Sequence, residues 1–356
     1  MSKKSTSGIS SEALKALGSL DKMNSLAGFL DKSTLSNVKS WHDTGCLVLN
    51  SIISGSLYKG VPQGRVTGFA GPSMAGKTYI INKILASAQR EGMIPVIFDT
   101  EAAVDESSVR GVGLDPSTVK YVPVQTVEET RNQIVQFLDN IIENNQQGKF
   151  LISIDSLGNL ASQKEIDDIG KDKSAMDMGT RAKGLKRMMR TLTFKAAEAD
   201  TTILFSNHTY DDPAAMFPTL VKNQSGGKGP VYLASVLVQL AKKDERHDKN
   251  NESDKMIAEA KTYSGTTLRA LTVKNRFVPP FLEAEMYLNF KTGLDKYSGL
   301  LNIAVNHGAI VQTGSTYQLP DGTKLGYYKQ WRDNEEVWEK VLPVIEEKLV
   351  AEYQYN

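Results

Sequence analysis

The chain has a single cysteine, Cys46, which excludes an internal disulfide and any zinc site that needs several thiolates. It has almost no net charge: 42 Lys and Arg against 41 Asp and Glu leave +1 over 356 residues. A global basic field for nucleic acid is therefore absent, and any DNA surface has to be local. No apolar run approaches the ~18 residues of a membrane span. The first residues, MSKKSTSGISSEALKAL, start basic but never reach the continuous apolar stretch of a secretory leader. These absences lead us to expect a cytoplasmic protein with no membrane partner. No internal repeat is visible. What remains is ordinary globular composition, 40% hydrophobic, enough to bury a large core.

Three sections follow one another along the chain. Leu14, Leu17, Leu20, Met23 and Leu26 are spaced in threes, which predicts a short amphipathic helix opened by a capping serine. A turn-rich stretch separates it from the rest, so residues 1–44 read as a helical arm and linker for subunit assembly, with Phe29 and Leu30 as anchors. Between about 45 and 294, strand-like runs at 65–70, 94–99, 120–124, 150–155, 202–206, 235–241, 266–273 and 282–289 alternate with helical stretches at 77–90, 127–145 and 180–199. Alternation of this kind predicts an α/β fold with a mostly parallel central sheet, and the last strands, which follow without helices, predict an antiparallel extension. Residues 242–261 carry 12 charges of mixed sign in 20 positions and read as a solvated excursion. Residues 295–356 read as a small α+β C-terminal domain.

The strongest local signal is Gly71-Pro72-Ser73-Met74-Ala75-Gly76-Lys77-Thr78, which follows the apolar run RVTGFA and opens the helical run YIINKILASA. This is G-x-x-x-x-G-K-[ST] between a strand and a helix, the setting in which backbone N–H groups wrap a phosphate. Lys77 would reach the β- and γ-phosphates of ATP, and the Thr78 hydroxyl would ligate Mg²⁺. Phe150–Asp155 is a buried-strand run ending in a carboxylate suited to the metal side, although a strand-terminating aspartate looks the same in sequence. Glu101 follows a second such run, beyond the carboxyl end of a strand, where an acid can orient and deprotonate water; a solvated loop acid is the alternative.

Residues 180–197 hold six basic residues and no acidic one. Lys183, Lys186, Arg187 and Arg190 fall on one helical face, with Ala182, Leu185, Met189 and Leu192 on the apolar side. A one-signed stripe suits a phosphate backbone, whereas a merely solvated face usually mixes signs. The polar stretches on either side, 159–178 and 209–227, place Met176, Met178, Met216 and Phe217 where they could wedge between or stack on bases, or simply anchor the loops.

Taken together, GPSMAGKT, FDTEAAVD, LISIDSLGNLAS, FSNHTYDD, NQSGGKGPVYLAS and VKNR, in that order, resemble the RecA-type recombinases, and IDSLGNLASQKE, DMGTRAK and NHTY resemble the bacteriophage UvsX-type branch. The resemblance implies a RecA-like P-loop ATPase core over 45–294 and a DNA-dependent ATPase that uses ATP and Mg²⁺. It implies a homo-oligomeric helical filament on single-stranded DNA that pairs with a homologous double-stranded DNA and exchanges strands in recombination, repair and replication. A recombination mediator and a single-stranded-DNA-binding protein would be its partners, in host-cell cytoplasm if the chain is phage-encoded. By position, Glu101 matches the water-activating acid, Asp155 and Ser156 the magnesium-side strand end, and His208 the γ-phosphate sensor. Lys274 and Arg276 match the pair that reaches a neighbouring subunit's nucleotide, and Asp105 an acid near the adenine. The position of the family's adenine-stacking tyrosine is Ser108 here, which leaves base selectivity open. A hexameric helicase of the same fold, or a mediator that only binds nucleotide, are the competing expectations.

Overall fold

A computed structural model describes residues 9–33, 35–168, 178–210, 220–227, 229–243 and 265–353, the side chains of Met178 and Lys243 excepted. Met176, Met216, Phe217, the side chain of Met178 and most of the charged stretch 242–261 lie outside the described residues. The chain forms two compact units, Met1–Lys39 and Ser40–Asn356.

In the first unit, helix α1 (Ser11–Met23) begins where the Ser10 hydroxyl accepts the Ala13 N–H at 3.2 Å, which satisfies an otherwise unpaired first-turn donor. The stripe of Leu14, Leu17, Leu20 and Met23 is exposed, and no residue of the helix is buried.

In the second unit, β1 (Trp41–His42) pairs antiparallel with β2 (Val61–Pro62), and helix α2 (Leu47–Ser54) lies between them in sequence. There follow β3 (Val66–Gly71), α3 (Lys77–Arg90), β4 (Ile94–Asp99), α4 (Glu106–Gly111), β5 (Lys120–Pro123), α5 (Val127–Glu143) and β6 (Phe150–Asp155). Next come α6 (Gln163–Asp168), α7 (Met178–Glu198), β7 (Thr202–Tyr210), β8 (Asn223–Gln224), α8 (Gly229–Leu233), β9 (Val236–Lys243), β10 (Gly265–Asn275), β11 (Glu283–Asn289) and β12 (Gly293–Leu294). Helix α9 (Leu300–Asn306), a small antiparallel sheet over residues 311–326, α10 (Tyr328–Trp331) and α11 (Glu335–Tyr353) complete the described chain.

The central sheet has the order β12-β11-β10-β9-β3-β7-β6-β4-β5. Its members from β9 to β5 are parallel, and β10, β11 and β12 extend it antiparallel, as the helix-free end of the pattern predicted. Strand alternation sends successive side chains to opposite faces, so the sheet separates two cores. Phe69, Ile97, Leu151 and Leu204 face α3, whereas Phe98, Ile152, Ile154 and Phe205 face α5 and α7.

The C-terminal residues expected from 295 onward share the first of these cores. Trp338, Ile345 and Leu349 of α11 belong to the same buried cluster as Ile53 of α2 and Ile84 of α3. The Glu346 carboxylate accepts the Ser56 hydroxyl at 2.5 Å and the Leu57 N–H at 2.7 Å, which ties α11 to the turn after α2.

Candidate nucleotide site and nucleic-acid face

Parallel registry delivers the site. Asp99 of β4 lies level with Asp155 of β6, Ile154 of β6 with Phe205 of β7, and Gly71 of β3 with His208 of β7. All these strands end at one edge, and alternation puts Asp155 and Ser206 on the α3 face, because Leu151 and Leu204 point there.

The loop after β3 turns through Met74 (φ 61°) and Gly76 (φ 77°), left-handed conformations that aim backbone N–H groups inward at the start of α3. Met74 is a non-glycine residue held there at some cost, as functional turns often are. Lys77 is nearly buried, and its Nζ donates to the carbonyls of Gly71 (3.0 Å) and Pro72 (2.8 Å). Burial lowers its pKa, and the Asp155 and Glu101 carboxylates oppose that shift.

Thr78 Oγ1 donates to Asp155 Oδ2 at 2.6 Å, and Ser206 Oγ donates to the other oxygen, Oδ1. Thr100 secures the backbone behind them: its N–H donates to the Asp155 carbonyl at 2.8 Å, and its hydroxyl accepts the Ser156 N–H at 2.8 Å. A hydroxyl and a carboxylate converging at the first turn of the phosphate-loop helix fit magnesium, which takes few protein ligands and fills its octahedron from phosphates and water. Among the described residues there is no cluster of three or more His, Cys, Asp or Glu that could hold a metal alone.

Glu101 Oε1 accepts the Ser156 hydroxyl at 2.8 Å and lies 3.6 Å from His208 Nε2. Both side chains are over a third exposed, so they border an open space rather than a sealed core. The turn that carries Glu101 is set by buried Asp99, whose carboxylate accepts the N–H groups of Glu101 (2.8 Å) and Val104 (3.2 Å). Asp105 caps α4: its carboxylate accepts the Ser107 and Ser108 N–H groups at 2.8 and 3.0 Å, and the Ser107 side chain first and then these backbone donors lower its pKa.

Phe290 lies in none of the sequence motifs. Ser206 lies within FSNHTYDD, but its place beside Asp155 is legible only from strand registry. The hairpin between β11 and β12 is fastened to α3, where the Leu294 N–H donates to Tyr79 Oη at 3.1 Å. Gly293 (φ +85°) approaches so closely that a Cβ there would stand 2.3 Å from that hydroxyl. Phe290, at the hairpin tip, is exposed.

Lys274 and Arg276 lie elsewhere. Asn275 is level with Val236 of β9, and Val236 is level with Thr67 of β3, four residues before Gly71. The pair therefore sits toward the amino edge of the sheet, roughly 13 Å along the strands from the phosphate loop. Asn275 turns inward and donates to the carbonyls of Ile52 (3.2 Å) and Ile53 (2.8 Å), while Lys274 Nζ donates to the Tyr232 carbonyl on α8. Burial, with Arg276 adding to it, pushes the Lys274 pKa down to about 8.

On α7 the six basic residues divide. Arg181 donates to the carbonyls of Leu160 (2.6 Å) and Gly158, and Lys195 pairs with Asp139 (2.7 Å) and Glu198 (3.1 Å), so both are structural. Lys183, Lys186, Arg187 and Arg190 are exposed and make no ion pair among the described residues, while Leu185, Met188, Met189 and Leu192 are buried beneath them. Lys183 and Lys186 line an open cavity of about 580 Å³ together with Gly226, Gly227 and Tyr232. No described helix is long and apolar enough to cross a membrane.

This geometry coincides with a family match: residues 11–295 match the RecA N-terminal domain. The chain belongs to the RecA family. A recombination and repair protein of Enterobacteria phage T4 is 28% identical over 316 residues, covering 86% of this chain and 75% of that protein. Protein RecA of Borreliella afzelii is 28% identical over 285 residues, covering 78% and 73%. The RecA-like α/β core anticipated from the motifs is thus the observed one, with residues 71–78 at the carboxyl edge of its sheet.

Proposed function

We propose that this RecA-family chain is an ATP-dependent recombinase that forms a helical filament on single-stranded DNA, pairs it with a homologous duplex and exchanges strands. The phage T4 relative, named for recombination and repair, supports the activity. The observation that carries the mechanism is the placement of Lys77, Thr78, Glu101 and Asp155 at one edge of the sheet and Lys274 with Arg276 toward the other. A cation pair that far from its own phosphate loop serves a neighbour's nucleotide. Such a head-to-tail contact is heterologous, and when its rotation does not close it generates an open helix.

In this reading the loop from Gly71 to Thr78 binds the phosphates of ATP, and Lys77 compensates their charge. Magnesium held by Thr78 and Asp155 would neutralise charge on the β- and γ-phosphate oxygens. Glu101, oriented by Ser156 and the Asp99 turn, takes a proton from the attacking water. His208, beside it, reports the state of the γ-phosphate. Phe290 on the hairpin fastened to Tyr79 offers the base an aromatic face that Ser108 does not, and Asp105 borders that side. Lys183, Lys186, Arg187 and Arg190 contact the DNA backbone, with Met178 and Phe217 at the bases. A mediator and a single-stranded-DNA-binding protein are the accessory partners.

The test is subunit mixing. Lys274→Ala/Arg276→Ala protein and Glu101→Gln protein are each inactive alone, and the mixture regains DNA-stimulated ATPase at interfaces that join intact Glu101 to an intact cation pair. Electron microscopy with ATP and single-stranded DNA verifies co-assembly. Mixed filaments without restored activity at any ratio refute the division of the site between subunits, and closed rings refute the filament.

A further inference from the structure

Asp155 presents two carboxylate oxygens at the site, and the structure gives each a separate hydroxyl. Thr78 Oγ1 donates to Oδ2 from the exposed side, at the first turn of α3. Ser206 Oγ donates to Oδ1 from the interior, and Ser206 is fully buried. Its preceding neighbours along β7, Leu204 and Phe205, are core hydrophobes that point to opposite faces, so the hydroxyl directly follows the apolar part of the strand. A buried hydroxyl carries a desolvation cost unless it is bonded, and here its bond is to a carboxylate, among the stronger kinds.

We infer that Ser206 is a positioning residue for metal binding, fixing the Asp155 side chain for the magnesium ion that Asp155 and Thr78 would hold. The inference rests on the reading of Asp155 as the metal-side carboxylate. The backbone of Asp155 is already secured through Thr100, but that leaves two side-chain torsions free. Thr78 would have to share its hydroxyl between Oδ2 and the ion, so its hold on the carboxylate would depend on the metal. Ser206 bonds the other oxygen from the buried side, away from the ligand space, and would hold it with or without the ion. Partners of this kind, one step removed from the ion, typically change metal affinity by about 10–100-fold when lost.

The experiment compares Ser206→Thr with Ser206→Val in the full-length chain. The two replacements have nearly the same shape, and only the first keeps the hydroxyl. Binding of a fluorescent ATP analogue is titrated with Mg²⁺, and thermal midpoints are measured without nucleotide or metal. The expected result is a parental Mg²⁺ midpoint for Ser206→Thr and a midpoint about tenfold higher for Ser206→Val, with similar ligand-free thermal midpoints. Equal Mg²⁺ midpoints for the two variants overturn the inference. Asp155→Ala separates the two levels: if it moves the midpoint while Thr and Val titrate alike, the role of Ser206 alone fails. If Asp155→Ala leaves the midpoint unchanged, the metal-side reading of Asp155 fails, and the inference with it.

Discussion

At the carboxyl edge of the sheet, Lys77, Thr78, Asp99, Glu101 and Asp155 are each held by at least one named partner. Along α7, Lys183, Lys186, Arg187 and Arg190 stand in solvent with no ion pair among the described residues. Under the proposed function the two regions answer different physical demands. Phosphoryl transfer depends on donors and acceptors already in place when charge develops, so reorganisation there is costly. A nucleic-acid backbone is a regular row of charges, and long, mobile cations follow it without a fixed geometry. One site is preorganised and the other is a field.

The largest effects should come from breaking the preorganised side. Glu101→Gln keeps the shape of the side chain but cannot accept a proton. ATP hydrolysis is expected to fall by about 10²–10⁴ while nucleotide binding survives, as measured by single-turnover hydrolysis alongside equilibrium binding. Lys77→Ala is expected to lose binding and turnover together. If Glu101→Gln also lost binding, the acid would belong to the fold rather than the chemistry.

An intermediate effect concerns His42, a titratable group without solvent, the opposite of the α7 cations. It is fully buried, with Nε2 3.1 Å from the Thr202 hydroxyl, and burial pushes its pKa down to about 4, with Asp200 opposing. The folded pKa lies below the unfolded value of 6.5, so the neutral form is the one the fold retains. Its contribution is fully present above about pH 6.5 and is lost as pH falls toward 4, amounting to about 3 kcal/mol. Denaturant midpoints between pH 7 and 4 should therefore show a shallower acid loss in His42→Gln. An identical loss would assign it to carboxylates.

The smallest effect belongs to the field. Removing any one of Lys183, Lys186, Arg187 or Arg190 should reduce the salt dependence of log K for single-stranded DNA by about 0.7, with base preference unchanged. A loss of base preference in one variant would mean that the stripe has geometry after all.

The strands around the site were legible as short, mostly apolar runs, β4 and β6 closed by an aspartate and β3 by glycine and proline, and the loop 71–78 because its spacing is rigid. Helix α2 was not. Leu47–Ile53 is buried on every side, so LVLNSIIS carries no 3.6-residue period to distinguish it from a strand. Charge counting placed six cations on α7, but only the fold shows that Arg181 and Lys195 are committed to carbonyls and carboxylates. The Ser206–Asp155 bond joins residues 51 positions apart, and strand registry, which local pattern does not encode, brings them together. The offset of Lys274 from its own phosphate loop has the same origin, since it is fixed through two neighbouring strands.

Strand β7 has a mechanical consequence. Its residues run from His208, 3.6 Å from Glu101, directly into the pairing with β8. The His208 carbonyl accepts the Ser225 N–H at 3.0 Å, and the Asn207 amide donates to the Ser225 carbonyl at 3.0 Å. Gly226 and Gly227, which come next, line the cavity shared with Lys183 and Lys186. Under the proposed function β7 would therefore join the ATP side of the molecule to the lysine-lined cavity, which begins one residue past Ser225. Ser225 is gripped at both its N–H and its carbonyl, so the end of β7 and the approach to the two glycines form one hydrogen-bonded piece.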